Sequence, residues 1–125
     1  MEIIISNSND KPIYQQIFDQ IKEKIINEEL VNGELLPSIR SLAKDLRISV
    51  ITTKRAYEEL EREGYILTTP GRGCFVAGVN RELLKEEMMQ KIEQHLLNAI
   101  SIGKKVGIAQ NEIQELFDYL YQEEF

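Results

Sequence analysis

Apolar residues recur along this chain at helical spacing in five places, and only one stretch breaks the pattern. Ile13, Ile17, Ile21 and Ile25 stand four residues apart, reinforced by Tyr14 and Phe18, which predicts a core-facing helix over about 12–29 with Asp10 as its expected cap. Asn32 and Gly33 then turn the chain toward Leu35 and Leu36. Pro37 stops any earlier helix, Ser38 is suited to cap the next, and Ile39, Leu42, Ala43 and Leu46 form one stripe over 38–46. After a turn at Ile48 and Ser49, a helix capped by Ser49 runs through Glu63, with Ala56, Tyr57 and Leu60 on its buried side and Gly64 as its stop.

Beyond Gly64 the composition changes. The segments 65–69 and 74–76 are rich in β-branched and aromatic residues and flank the tip Pro70-Gly71-Arg72-Gly73, which predicts a short hairpin. A helix pair joined by a tight turn and followed by a glycine-pointed hairpin is the order of a winged helix-turn-helix. The expected fold is therefore mainly α with a small β-wing: a winged helix-turn-helix over 1–78, then a C-terminal helical region over 79–125. In that region Met88, Ile92, Leu96 and Ala99 line one side of a helix over 81–102, with Leu84, Met89, Leu97 and Ile100 nearby. Gly103 is expected to end it. A last helix through about Tyr121 puts Ile113, Leu116, Phe117, Leu120 and Tyr121 on one face. Two such broad apolar faces cannot hide each other completely. Either a symmetric homodimer covers the remainder, through Met88, Ile92, Leu96, Ile113, Leu116, Phe117 and Leu120, or both helices fold back on the winged part.

Charge changes the picture. The 125 residues carry 15 Lys and Arg against 21 Asp and Glu, a formal net charge of −6, the wrong sign for indiscriminate binding to nucleic acid. Over 36–57, however, Arg40, Lys44, Arg47, Lys54 and Arg55 face Asp45 alone, a local +4, whereas 1–35 and 74–125 each stand at −4. A cationic helix pair on an acidic body points to a surface for DNA phosphate that is repelled elsewhere. Ser38 and Arg40 open the first helix of the pair, and Ser49, Val50, Ile51, Thr52, Lys54 and Arg55 gather at the start of the second, so these are the candidate groove and phosphate contacts. At the hairpin tip Gly71 permits close backbone approach, setting Arg72 and backbone amides against a phosphate or a narrow minor groove. Taken alone, each feature has a plainer reading: a solvated helix face, or an ordinary turn with an exposed arginine.

Residues 36–43, Leu-Pro-Ser-Ile-Arg-Ser-Leu-Ala, resemble the Leu-Pro-Ser-x-Arg-x-Leu-Ala of the GntR family of bacterial transcription regulators. Gly71-Arg72-Gly73-Cys74-Phe75-Val76 resembles its Gly-Arg-Gly-Thr-Phe-Val, and Pro12-Ile13-Tyr14-Gln15-Gln16-Ile17 is similar to the opening of the first helix in the small YtrA-like subgroup. The resemblance implies that Arg40 reads a base in the major groove, that Thr52 and Lys54 contact bases or phosphates, and that Gly71 and Arg72 work at the wing. It also implies a homodimeric repressor on a palindromic double-stranded operator, governing a transporter operon and its own gene. Val50 departs from the arginine or proline of relatives and leaves the base preference open. Larger relatives carry a ligand-binding domain after the wing; about fifty residues stand there here, so a small-molecule effector would need a pocket between the terminal helices and the winged part.

Other classes find little support. His95 is the single histidine and Cys74 the single cysteine, too few for a metal cluster or a catalytic triad, and no phosphate-binding glycine motif is present, so neither enzyme nor cofactor is expected. No apolar run approaches the roughly 20 residues that span a bilayer, and the first residues lack the pattern of a signal peptide; a cytoplasmic protein without membrane contact is expected. The alternative function is a winged helix that binds protein instead of an operator.

Overall fold

The protein is described from a computed structural model covering residues 1–124. It comprises two compact units, Met1–Val79 and Asn80–Phe125. The first contains helices α1 (Ile13–Ile26), α2 (Ile39–Leu46) and α3 (Val50–Arg62) and strands β1 (Ile66–Thr69) and β2 (Gly73–Val76); the second contains α4 (Arg81–Lys105) and α5 (Gln110–Glu124).

Helix α1 presents Ile17, Phe18, Ile21 and Ile25 to a core shared with Leu36, Leu42, Ala56, Tyr57, Leu60, Tyr65 and Ile66. Ile17 and Ile21 are completely buried, each contributing roughly 1.5–3 kcal/mol of transfer free energy. The expected cap is corrected: Asp10 does not cap this helix. Pro12 occupies the N-cap with φ −54° and no side-chain cap forms, its carbonyl accepting from the N–H groups of Gln15 and Gln16 at 3.0 and 3.1 Å. The helix also stops before 29, because Glu28 takes φ 63° and the turn returns Leu30 to the core.

Periodicity did not foretell the role of the first residues. Ile3 is buried, and the flanking backbone is gripped by two glutamines one helical turn apart on α1. The Gln20 side chain accepts from Ile4 N–H at 2.8 Å and donates to Ile4 C=O at 2.7 Å. Gln16, itself buried, does the same with Ser6 at 2.9 Å each way and also donates to Lys11 C=O. Each side-chain amide thus imitates the edge of a strand, meeting the rule that buried polar groups be bonded.

The hairpin pairs antiparallel from Ile66↔Val76 to Thr69↔Gly73. It gains a third member from the segment before α2: Leu36 N–H donates to Cys74 C=O at 2.8 Å, Val76 N–H to Glu34 C=O at 2.9 Å, and Gly33 N–H to Val76 C=O at 2.8 Å, with Leu35 bridged to Phe75. The wing is therefore laced to the entrance of α2 by backbone bonds.

In the second unit Asn80 caps α4 by accepting from the N–H groups of Glu82 and Leu83. Gly103 does not end α4. It lies buried within the helix, where a Cβ would come 2.9 Å from Ile113 Cδ1. The glycine signal marks close approach of α5 to α4, and the turn belongs to Gly107, at φ 75°.

Candidate nucleic-acid interface

The sharp crossing of α2 and α3 is built by their ends. Ser38 caps α2 by accepting from Ser41 N–H at 3.0 Å, and Ser49 caps α3 by accepting from Thr52 N–H at 3.0 Å. Ser49 Oγ also donates to Thr52 Oγ1 at 2.8 Å, while the buried Thr53 hydroxyl donates to Ser49 C=O at 3.1 Å. The first turn of α3 is thereby held on both sides. Between the helices Arg47 adopts φ 57° and ψ 46°, a left-handed conformation that costs a residue with a side chain about 1–2 kcal/mol. It lets Ile48 N–H reach Ala43 C=O at 3.0 Å and close the turn.

Tyr57 ties α3 to the entrance of α2. Its hydroxyl donates to Pro37 C=O at 2.7 Å, and Pro37 immediately precedes the Ser38 cap. Burial pushes the Tyr57 hydroxyl well above the usual tyrosine pKa, and negative charge on nearby Cys74 would push it in the same direction. The group accordingly stays protonated and donating. Sequence reading placed Tyr57 in the core but missed its hydroxyl, because no short-range pattern reveals a bond across 20 positions.

Around this frame the candidate contacts divide into three groups. Arg40 is exposed on α2 beside Ser38. On the first turns of α3, Val50 is 46% and Ile51 81% exposed, apolar side chains that suit a thymine methyl. Lys54 and Arg55 are exposed on the same helix, whereas Thr52 is half-buried. At the wing tip, Thr69 C=O accepts from Arg72 N–H at 2.9 Å across Pro70 and Gly71, with Gly71 at φ 77°. This is the pattern of a type II turn, which requires positive φ at its third residue. One part of the sequence reading is corrected here: the Arg72 amide is consumed by the turn and is not free for a phosphate, although its side chain is exposed.

The electrostatics follow from these placements. Among the described residues, Arg40, Lys44, Arg47 and Arg72 take part in none of the ion pairs. Lys54 meets Glu58 only at 3.8 Å between exposed side chains, a pairing of little worth. Arg55 is placed differently: its guanidinium carbon stands 3.7 Å from the centroid of the Tyr14 ring on α1. Tyr14, placed by the sequence in the core, also meets Arg55, and Arg47, read only as one cation of the stretch, forms the left-handed turn between the helices.

The second unit leaves much apolar surface open. Ile92, Leu96, Leu116, Phe117 and Leu120 are exposed, Met88 and Ile113 half-buried, and Ile113 turns inward against Gly103. A groove of about 590 Å³ runs between α4 and α5, lined by Leu96, Ile100, Ile113 and Phe117 with Lys104 at its edge. No helix among the described residues is long and apolar enough to cross a membrane, and among those residues no cluster of His, Cys, Asp or Glu is arranged to hold a metal ion.

Comparison with known proteins agrees with this architecture. Residues 13–76 match the family described as bacterial regulatory proteins, gntR family. The chain is 34% identical over 118 residues to the HTH-type transcriptional repressor YtrA of Bacillus subtilis, covering 94% of this chain and 88% of that protein. Its fold superposes on a transcriptional regulator from Oenococcus oeni with a TM-score of 0.75 at 28% identity, over 94% of this chain and 97% of the other. It superposes on YtrA from Sulfolobus acidocaldarius, a GntR-family transcription factor, with a TM-score of 0.58 at 38% identity, over 73% and 97%. The chain belongs to the gntR family of bacterial regulatory proteins, DNA-binding regulators of transcription built on a winged helix-turn-helix.

Proposed function

We propose that this regulator is a homodimeric repressor that binds a palindromic operator, with α3 in the major groove and the wing beside it. One observation carries the DNA face: the cations of α2, α3 and the wing tip are exposed and largely free of acidic partners in a chain whose net charge is −6. In this reading Arg40 reads a base edge; Val50, Ile51 and Thr52 line the groove; Ser38, Ser49, Lys54, Arg55 and Arg72 engage the backbone, with Gly71 shaping the approach of the wing. Residues 1–78 form the DNA-binding domain and 79–125 the dimerisation region.

Dimerisation is supported by the exposed apolar side chains of Ile92, Leu96, Leu116, Phe117 and Leu120 on α4 and α5, more than a solitary soluble hairpin would leave in water. A two-fold dimer presents two copies of α3 to successive major grooves and so selects a palindrome. Repression follows by occlusion of polymerase, in keeping with the repressor named YtrA among its relatives, and the regulated genes would include a transporter operon and the regulator's own gene. Selection of bound sequences from a randomised duplex library tests this directly. One enriched palindrome supports the reading; enrichment of non-symmetric sites removes the dimer, and no enrichment by the folded protein removes operator binding.

A further inference from the structure

We infer that Tyr14 is a positioning residue for DNA binding: its ring holds the Arg55 guanidinium flat against α1, so that α1 contributes to the interface through a side chain that touches no nucleic acid. The inference rests on the reading that the N-terminal half of α3 meets DNA. A guanidinium carbon 3.7 Å from a ring centroid lies over the ring face at van der Waals separation, the geometry of a stacked cation–π pair. All five N–H donors of arginine lie in the guanidinium plane, so stacking consumes none of them and leaves their edge free for the paired oxygens of a phosphate. Among the described residues Arg55 joins none of the ion pairs, whereas Lys54, its neighbour in sequence, is drawn toward Glu58. Tyr14 is only half-buried, although it belongs to the helix opening that packs on the core; the face turned to Arg55 is therefore not required for burial alone.

The preorganisation has an energetic consequence. An arginine otherwise free to rotate loses side-chain entropy when it clamps a phosphate, and a ring that fixes it beforehand removes part of that loss. A phosphate contact is blind to sequence, so the effect spreads evenly over operator variants.

The test measures anisotropy of a labelled duplex taken from the enriched library pool across a salt series, for the wild type, Tyr14→Phe, Tyr14→Leu, Arg55→Ala and the Tyr14→Leu/Arg55→Ala double variant. Tyr14→Phe retains the ring and is expected to bind as the wild type. Tyr14→Leu is expected to weaken binding about five- to thirtyfold, the scale of two exposed cation–π pairs, one in each protomer. Arg55→Ala is expected to lower affinity and to reduce the magnitude of the log–log salt slope by about 1.8, one phosphate contact being lost from each protomer of the dimer. In the Arg55→Ala background Tyr14→Leu should cost nothing further, which a merely structural role for the ring would not produce. Equal affinity of Tyr14→Leu and wild type overturns the inference, as does a Tyr14→Leu loss that persists without Arg55. Should Tyr14→Leu fail to fold by circular dichroism, Arg55→Lys decides: a lysine keeps the charge but neither stacks flat nor forks, so wild-type affinity in that variant overturns the proposal and a loss with an unchanged salt slope supports it. A wild type that binds no duplex overturns the underlying DNA reading instead.

Discussion

At the residue scale, the proposed surface combines a side chain assigned to reading DNA with one that holds the frame beneath it. Arg40 is exposed at the start of α2 with no acidic partner among the described residues. Arg40→Ala is expected to lower operator affinity by roughly 1–3 kcal/mol and to relax preference at a single base pair, which a repeated selection would read. Tyr57 holds. Tyr57→Phe leaves Pro37 C=O without its 2.7 Å donor and should destabilise the fold by about 1–2 kcal/mol in chemical denaturation. The pH dependence has a definite sign. A tyrosine whose folded pKa is raised keeps its proton where the unfolded chain loses it, so its stabilisation is complete below the ordinary tyrosine pKa near 10 and is lost as pH rises above it. Stability measured from pH 9 upward should therefore fall more steeply in the wild type than in Tyr57→Phe. The exposure of Arg40 was legible from sequence because it lies off the apolar stripe of α2. The Tyr57 hydroxyl bond and the Tyr14 stack were not, since each joins residues far apart in the chain whose meeting depends on how α1, α2 and α3 pack.

At the scale of elements, caps and turns proved more readable than helix ends. Ser38, Ser49 and the Pro70–Gly71 turn follow from the chemistry of single positions: a hydroxyl that accepts an orphan N–H, or a glycine that tolerates φ 77°. Gly71→Ala meets no steric obstacle from neighbouring atoms yet must force a Cβ into the left-handed region, a cost of about 1–2 kcal/mol. The hairpin is the element that should respond, so weakened operator binding with a small drop in Tm is expected, checked by anisotropy and thermal unfolding in parallel. Asp10 and Gly103 mark the limit of such reasoning. Pro12 supplies a fixed φ that lets α1 begin without a side-chain cap, and Gly103 is required by the neighbour it packs against, a reason invisible within its own helix.

At the scale of the whole molecule, an acidic chain carries one cationic stretch, which the proposed function sets against DNA. If Lys54, Arg55 and Arg72 of both protomers each neutralise one phosphate, six contacts give a log–log salt slope of about −5, and a monomer about half of that. A titration between low and near-physiological salt distinguishes the two. Sedimentation should likewise find a dimer at micromolar concentration. Phe117→Asp, which sets a charge in the exposed face of α5, should shift it to monomer and abolish preference for a palindrome while leaving the winged unit folded.

The sequence by itself determined the helices, their order, the wing and the cationic stretch, because helical periodicity, capping hydroxyls, positive-φ glycines and formal charge are local properties that neighbouring residues state directly. Only the tertiary structure decided what the glutamines of α1 bind, why Gly103 is a glycine, and that Arg55 lies on Tyr14. Each of these depends on groups brought within a few ångströms by packing, and side-chain hydrogen bonds and ring contacts act only at that range.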